Sequence, residues 1–236
     1  MSGTPPDDGT AGVHPASPVL LTAVPDNEGV DAAVAATRRL IAALLHAGNS
    51  TAAELNPIAH QLNAIASYLE EHCPPVEDRL VDMWSDLEVT RHDPASGPEN
   101  AIAPPLEMSG NPDGSVSGVV TLGLPYQGPP GYVHGGISAL LLDHAFGMAN
   151  HWAGKAGMTG TLTMRYRRPV PLFTELEVRA KNVGGEGRKL FVEGTISIGG
   201  EVCIEADAIF ISRFVDVPGH ASGAVPGGHS LENPRG

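Results

Sequence analysis

The residues best suited to chemistry lie where a loop rich in glycine and proline runs into a helix. Residues 128–136 read Gly-Pro-Pro-Gly-Tyr-Val-His-Gly-Gly, and a largely apolar run then leads to Asp143. Paired glycines let a substrate approach the backbone closely, and the first N–H groups of a helix have no partner within it. Gly135 and Gly136 therefore predict an oxyanion hole whose amides are free to donate.

Asp143 is the acid that could work beside this hole. It lies seven residues after Gly136, close to two turns at about 3.6 residues per turn, which places both on one helical face. Burying a carboxylate in an apolar run is costly unless it is paired or hydrogen-bonded. Asp143 is therefore either a catalytic acid or base, or a structural acid satisfied by a backbone amide or by an arginine from a strand.

The histidines of this region carry less information. His134 alone is more typical of a cap or loop residue, and His144 and His151 are interpreted as structural or surface groups. No set of His, Cys, Asp and Glu with metal-ligand spacing accompanies them. We therefore predict no metal site, and no cofactor is implied.

Three arginines, Arg165, Arg167 and Arg168, precede Pro169. Arginine is a common partner of phosphate groups, so this cluster could bind a phosphorylated ligand. The alternative is a solvated strand end whose charges only aid solubility. Both readings remain open at this point.

The elements that must position these residues follow from periodicity. Alternating apolar residues predict strands over 115–124, 161–167, 175–183, 189–198 and 201–213, with a tight hairpin at Gly199 and Gly200. One helix, over 135–152, separates the first strand from the rest. This order predicts an α+β fold with an antiparallel sheet wrapped on a central helix, since a parallel sheet would need more crossover helices.

Two further helices are predicted ahead of this domain. Apolar residues recur at helical spacing over 30–46, and Thr51 with Glu54 forms a capping-box pattern before a second amphipathic helix that ends ahead of Pro74. We interpret residues 29–72 as a helical hairpin that packs on the main domain or on a second subunit. Residues 1–28 and 216–236, rich in Gly, Pro and polar residues, are predicted to be flexible tails.

The composition of the chain limits the classes of partner that it is expected to bind. The chain has 236 residues and a formal net charge of -13, which disfavours nucleic acid and anionic membrane surfaces. No segment reaches the roughly 20 apolar residues of a membrane span. Cys73 and Cys203 form no disulfide framework, and no signal peptide is recognised. A cytoplasmic protein is therefore expected.

Three motifs together resemble the PaaI-like hotdog thioesterases, especially their human thioesterase superfamily branch. They are Val-His-Gly-Gly followed by six residues and Asp143, then Gly-Met-Thr-Gly-Thr-Leu at 157–162 and Tyr-Arg-Arg-Pro-Val-Pro-Leu at 166–172. The resemblance covers about residues 93–214. It implies a hotdog domain over 78–215, paired into a homodimer or a dimer of dimers with active sites at the interface, and an acyl-coenzyme A substrate.

The resemblance also implies roles for individual residues. Asp143 would be the general base or nucleophile, the Gly136 amide would stabilise the oxyanion, and His134 would orient the thioester carbonyl or shape the loop. Thr159 would hold the acid or the attacking water, while Thr161 and Gly135 would line the site. Ordinary β-branched strand positions remain the alternative for both threonines. The acyl chain would run along the helix beside Leu140, Phe146 and Met148.

Two other functions stay open. Some hotdog proteins hydrate or dehydrate acyl thioesters, which requires a paired histidine and acid over the α and β carbons, whereas His134 precedes the helix here. A non-catalytic acyl-CoA sensor or regulator is the second alternative. Known regulators of that kind carry a DNA-binding helix-turn-helix, and residues 30–71 contain few basic residues.

Overall fold

The structure is a computed structural model that describes residues 14–75, 78 and 91–212. The elements of these ranges, in chain order, are β1 (Val19–Leu20), α1 (Gly29–His46), α2 (Ala52–His72), β2 (Glu107–Gly110), β3 (Ser115–Thr121), a 3₁₀ turn (Leu124–Tyr126), α3 (Gly135–Trp152), β4 (Gly157–Tyr166), β5 (Glu175–Glu186), β6 (Lys189–Ile198) and β7 (Glu201–Ser212).

One antiparallel sheet contains all seven of these strands. Their spatial order is β1-β2-β3-β5-β6-β7-β4, so β3 pairs with β5, and β4 pairs with β7 at the far edge. The chain thus leaves β3, crosses the sheet through α3 and returns at the opposite side. A long helix wrapped by an antiparallel sheet is the hotdog fold, so the predicted α+β architecture is confirmed.

The central helix α3 packs one face into this sheet. Its buried residues follow the three-and-four spacing of one helical face and are Ser138, Leu141, Leu142, Ala145, Phe146, Ala149 and Asn150. A Cβ on Gly194 of β6 would lie 2.6 Å from the Phe146 ring, so the glycine lets helix and sheet approach. Because Phe146 is fully buried in this contact, the expectation that it lines an acyl channel is wrong.

The predicted strands are present with small shifts. In β5 the expected face of Leu176, Val178 and Ala180 is buried. The β6–β7 hairpin turns at Gly199 and Gly200, whose φ angles of 54° and 79° suit the primed turns of tight hairpins. β4 begins at residue 157 rather than 161, because a register shift between residues 159 and 161 interrupts the alternation from which its start was predicted.

Two strands of the sheet were not predicted from the sequence. β1 has two residues and β2 has four, too few for alternation to be recognised. β1 lies within the segment predicted to be a flexible tail, yet Val19 and Leu20 pair with β2, and the buried Thr22 hydroxyl accepts from the Met108 amide at 3.3 Å. Residues 1–13 and the predicted tail 216–236 lie outside the described residues.

The two N-terminal helices differ in what they contact. Arg38 of α1 donates from Nη2 to the backbone oxygens of Gly97 and Asn100 at 2.9 and 2.7 Å, and Asp31 pairs with Arg91. α2 has the predicted capping box at Thr51 but buries none of its residues. Thus α1 packs on the main domain, whereas α2 stays exposed. Packing on the main domain was one of the two arrangements predicted for the hairpin, and packing on a second subunit was the other.

None of the helices within residues 14–75, 78 and 91–212 is both long enough and apolar enough to cross a bilayer.

The close contact at Gly194 can be tested by adding a methyl group. We expect Gly194→Ala to lower the free energy of unfolding by about 1–3 kcal/mol, because the new Cβ overpacks against the Phe146 ring and the Arg179 carbonyl oxygen. Glu193→Ala, at the exposed neighbouring position on the same strand, is the control. Urea unfolding of both variants measures the difference, and equal midpoints would show that helix and sheet are not in close contact there.

Candidate active site at the start of the central helix

The start of α3 is capped by the side chain of His134. This residue is extended, with φ -64° and ψ 133°, and its Nδ1 accepts from the Gly136 N–H at 3.0 Å. The Gly136 amide was expected to be free, so that expectation is wrong for this structure. The adjacent Gly135 N–H has no acceptor among the described residues. The helix start therefore offers one open donor and one donor covered by an exposed imidazole.

Tyr166, the last residue of β4, contacts the same helix start. Its hydroxyl donates to the Gly135 carbonyl oxygen at 2.9 Å. A Cβ on Gly135 would lie 3.3 to 3.5 Å from the atoms of the Tyr166 phenol, so the ring covers this glycine. From the sequence, Tyr166 was predicted to be a strand residue and the first residue of the 166–172 motif, with no role at the site, because no local pattern shows that the end of β4 reaches the start of α3.

Asp143 lies outside the buried face of α3, next to the edge strand β4. It is half-buried, and its Oδ1 accepts from the Thr159 hydroxyl at 2.7 Å. The helical repeat puts Asp143 on the same face as Gly136. Thr161 lies beyond the irregularity in β4, is exposed, and makes no hydrogen bond to Asp143 in the part of the chain described.

His144, the neighbour of Asp143, takes part in a network that the sequence did not reveal. Its Nε2 lies 3.0 Å from the Ser96 hydroxyl, and its Nδ1 lies 3.4 Å from the Asp93 carboxylate. Burial lowers the pKa of His144 and outweighs the opposing effect of Asp93 and Asp143. Ser96 is only 9% exposed, so this network attaches the 91–100 loop to α3 rather than presenting a nucleophile. The structural interpretation of His144 thus agrees with these contacts.

A cavity of about 470 Å³ opens beside the helix start. It is lined by Gly135 and Ser138 of α3, by Arg167 and Arg168, and by Pro129, Tyr132, Val133, Tyr166, Pro169, Val170 and Ile204. Asp143 and Thr159 are not on its wall, and neither is Arg165. The cavity therefore connects the helix start to two of the three clustered arginines.

Each of these arginines is paired with an acid of β7. Arg165 pairs with Asp207, Arg167 contacts Glu205 at 2.9 Å, and Arg168 pairs with Glu201. The antiparallel β4–β7 pairing produces this alignment, because Arg165 lies opposite Glu205 and Tyr166 opposite Ile204. All three guanidinium groups are about half exposed, so water screens the pairs strongly and they add little stability.

Comparison with known proteins agrees with this architecture. Residues 130–205 match the family model of the thioesterase superfamily, and residues 21–78 match the model described as hypothetical protein RHA1_ro05818, N-terminal helical domain. The crystal structure of protein RHA08564, a thioesterase superfamily protein, is 51% identical with a TM-score of 0.79. It covers 84% of this chain and 98% of its own.

Curated relatives match a shorter stretch. Acyl-coenzyme A thioesterase THEM4 from Rattus norvegicus is 40% identical over 98 residues, which is 41% of this chain and 42% of the relative. The Mus musculus protein is 42% identical over the same length. The chain thus spans about two-fifths of the curated relatives that it matches. Because most of this chain aligns at 51% identity with nearly all of a thioesterase superfamily protein, the chain belongs to the thioesterase superfamily.

Proposed function

We propose that this chain hydrolyses acyl-coenzyme A thioesters at the start of α3. The observation that carries the proposal is that Asp143, hydrogen-bonded by Thr159, shares the open face of α3 with the amides that begin the helix. Superfamily membership supports a thioesterase reaction, and the curated relatives named acyl-coenzyme A thioesterases support the coenzyme A carrier.

The helix start would stabilise the oxyanion. The positive end of the α3 dipole and the N–H groups of Gly135 and Gly136 are directed where the thioester oxygen becomes negative. His134 Nδ1 occupies the Gly136 donor in this structure. Because its ring is exposed, it can rotate away for about the 1 kcal/mol of a lost helix cap. The substrate oxygen then replaces the imidazole nitrogen as the acceptor.

Asp143 would act as a general base through water. Seven residues of helix separate it from Gly136 by about 10 Å along the axis, at about 1.5 Å per residue. That span exceeds the 3–3.5 Å of direct attack on a carbonyl held at Gly136, and first-turn N–H groups point away from the Asp143 of their own helix. The acid that faces this carbonyl through one water molecule would therefore be Asp143 of a second copy of the chain, which the pairing proposed below supplies. Thr159 occupies Oδ1, so Oδ2 is placed to accept the proton of this water.

The reaction then balances without a further reactant. Water adds its oxygen to the carbonyl carbon while Asp143 takes the proton, and the tetrahedral intermediate carries its negative charge on the oxygen at the helix start. Collapse of the intermediate breaks the C–S bond, and the protonated Asp143 returns the proton to the departing thiolate. Free carboxylic acid and coenzyme A are the products.

Hydration or dehydration is less well supported by the geometry. That chemistry needs a histidine paired with the acid, whereas His134 caps α3 and His144 contacts Ser96 and Asp93. No contact in the described ranges favours a non-catalytic sensor over an enzyme. A sensor would bind acyl-CoA without releasing thiol, which separates the two readings in one assay.

Asp143→Asn tests the acid with little change in shape. The amide oxygen can still accept from Thr159, but it cannot take a proton from water, so kcat should fall about 100-fold or more. Thr159→Val, which removes the supporting hydrogen bond and keeps the acid, should cause a smaller loss. Thiol release from acyl-CoAs of varied length and aromaticity is the measurement. Turnover close to that of the native chain in Asp143→Asn would exclude Asp143 from the mechanism.

The cavity beside Gly135 is our candidate for the nucleotide end of coenzyme A. Arg167 and Arg168 lie on its wall, and an entering phosphate would compete with Glu205 and Glu201 for them. Arg165 pairs with Asp207, which is also in β7, but Arg165 does not line the cavity. Of the three clustered arginines, we therefore retain Arg167 and Arg168 as phosphate contacts.

Arg168→Glu and Arg165→Glu form a matched pair, since each reverses one charge and breaks one ion pair with β7. We expect Arg168→Glu to raise the KM for acyl-CoA about 10-fold, the equivalent of about 1.4 kcal/mol, with a smaller effect on kcat. Arg165→Glu should leave KM within about twofold, because Arg165 does not line the cavity. If both variants keep the native KM, the arginines serve only as surface charges.

A second copy of the chain is proposed to complete the site. β4 is an edge strand whose outer side has no partner strand in the described sheet, and its Met158 and Tyr166 are 67% and 54% exposed. The neighbouring face of α3 is open around Asp143 and Gly147. An edge strand with exposed apolar residues is a surface on which another copy can pair.

Analytical ultracentrifugation of the native chain tests this pairing. We expect a mass of at least twice 24.5 kDa at the concentrations used for kinetics. A monomer that retains full thioesterase activity would show that each chain carries a complete site.

A further inference from the structure

We propose that Tyr166 is a positioning residue for this hydrolysis, acting on the peptide that joins Gly135 to Gly136. The inference rests on the proposed function. It starts from the 2.9 Å hydrogen bond in which the Tyr166 hydroxyl donates to the Gly135 carbonyl oxygen. That carbonyl and the Gly136 N–H belong to the same amide group, so the tyrosine contacts one end of the unit whose other end is the oxyanion donor.

The geometry of a peptide group makes this contact consequential. The group is planar and trans, so its C=O and N–H point in opposite directions and turn together. A donor that fixes the Gly135 oxygen therefore also fixes the direction of the Gly136 hydrogen. Donation to the oxygen also polarises the amide and strengthens its N–H as a donor. Tyr166 would thus improve both the direction and the strength of the hydrogen bond from the Gly136 N–H to the oxyanion.

The restraint from Tyr166 matters because Gly135 and Gly136 have a flexible backbone. Glycine has the greatest backbone freedom of any residue, and the first turn of a helix lacks part of its ladder of hydrogen bonds. A carbonyl oxygen has two lone pairs, so Gly135 can accept from Tyr166 while it also accepts within the helix. The aromatic ring, 3.3 to 3.5 Å from a Cβ built on Gly135, covers the same residue from outside.

Tyr166→Phe removes only the hydroxyl and keeps the ring that covers Gly135. The matched control is Tyr126→Phe, because the Tyr126 hydroxyl also donates to a backbone carbonyl at 2.9 Å, that of Ala103, away from the helix start. We expect Tyr166→Phe to lower kcat about 10-fold while the KM for acyl-CoA stays within about twofold. Tyr126→Phe should leave kcat at the native value.

A second readout needs no substrate. In amide NMR spectra of the full chain, the Gly136 proton should move upfield and exchange faster with solvent in Tyr166→Phe, and it should stay unchanged in Tyr126→Phe. A merely structural tyrosine would lower the melting temperature without this local change.

The outcomes separate the inference from the function on which it rests. A native chain that releases thiol, with native kcat and an unshifted Gly136 amide in Tyr166→Phe, would overturn the positioning role and leave the hydrolase proposal standing. A native chain that releases no thiol from any acyl-CoA would overturn both. A selective fall in kcat together with the amide shift supports the role of Tyr166.

Discussion

The structure depends on how the two faces of one helix are divided. α3 buries a face of seven residues against the sheet, and this packing fixes the helix so firmly that its start and its other face can be left open. The hydrophobic contact supplies the rigidity, while the open face carries the polar groups. Preorganised amides and a fixed acid are effective because they need not reorganise as charge develops. The hydrophobic core and the proposed site thus lie on two faces of the same helix, α3.

Two contacts from β4 complete this arrangement. Thr159 meets Asp143, and Tyr166 meets Gly135, so one edge strand touches both the acid and the helix start. The strand can do this because it pairs with β7 on one side only. The same property leaves its outer side available to a second copy. The proposed site and the proposed dimer interface therefore share one strand, and a change in the position of β4 would affect both.

Much of the fold could be predicted from sequence because its signals are local and repeated. The spacing of apolar residues marks α3 and the five strands β3 to β7, and the Thr51–Glu54 pair marks the start of α2. β1 and β2 were missed because two or four residues carry no period. That Asp143 shares a helical face with Gly136 followed from helix geometry, whereas the contacts of Tyr166 and Ser96 depend on residues distant in sequence that only tertiary packing brings together.

In the proposed mechanism, a thioester carbonyl binds between the start of α3 and an Asp143 carboxylate. A crystal structure of the native chain with a non-hydrolysable acyl-CoA ketone analogue tests it most directly. We predict the carbonyl oxygen within about 3 Å of a first-turn N–H, an Asp143 carboxylate from a second copy on the opposite side with one intervening water, and the His134 ring displaced. A carbonyl held elsewhere, with His134 still bonded to the Gly136 amide, would contradict this mechanism.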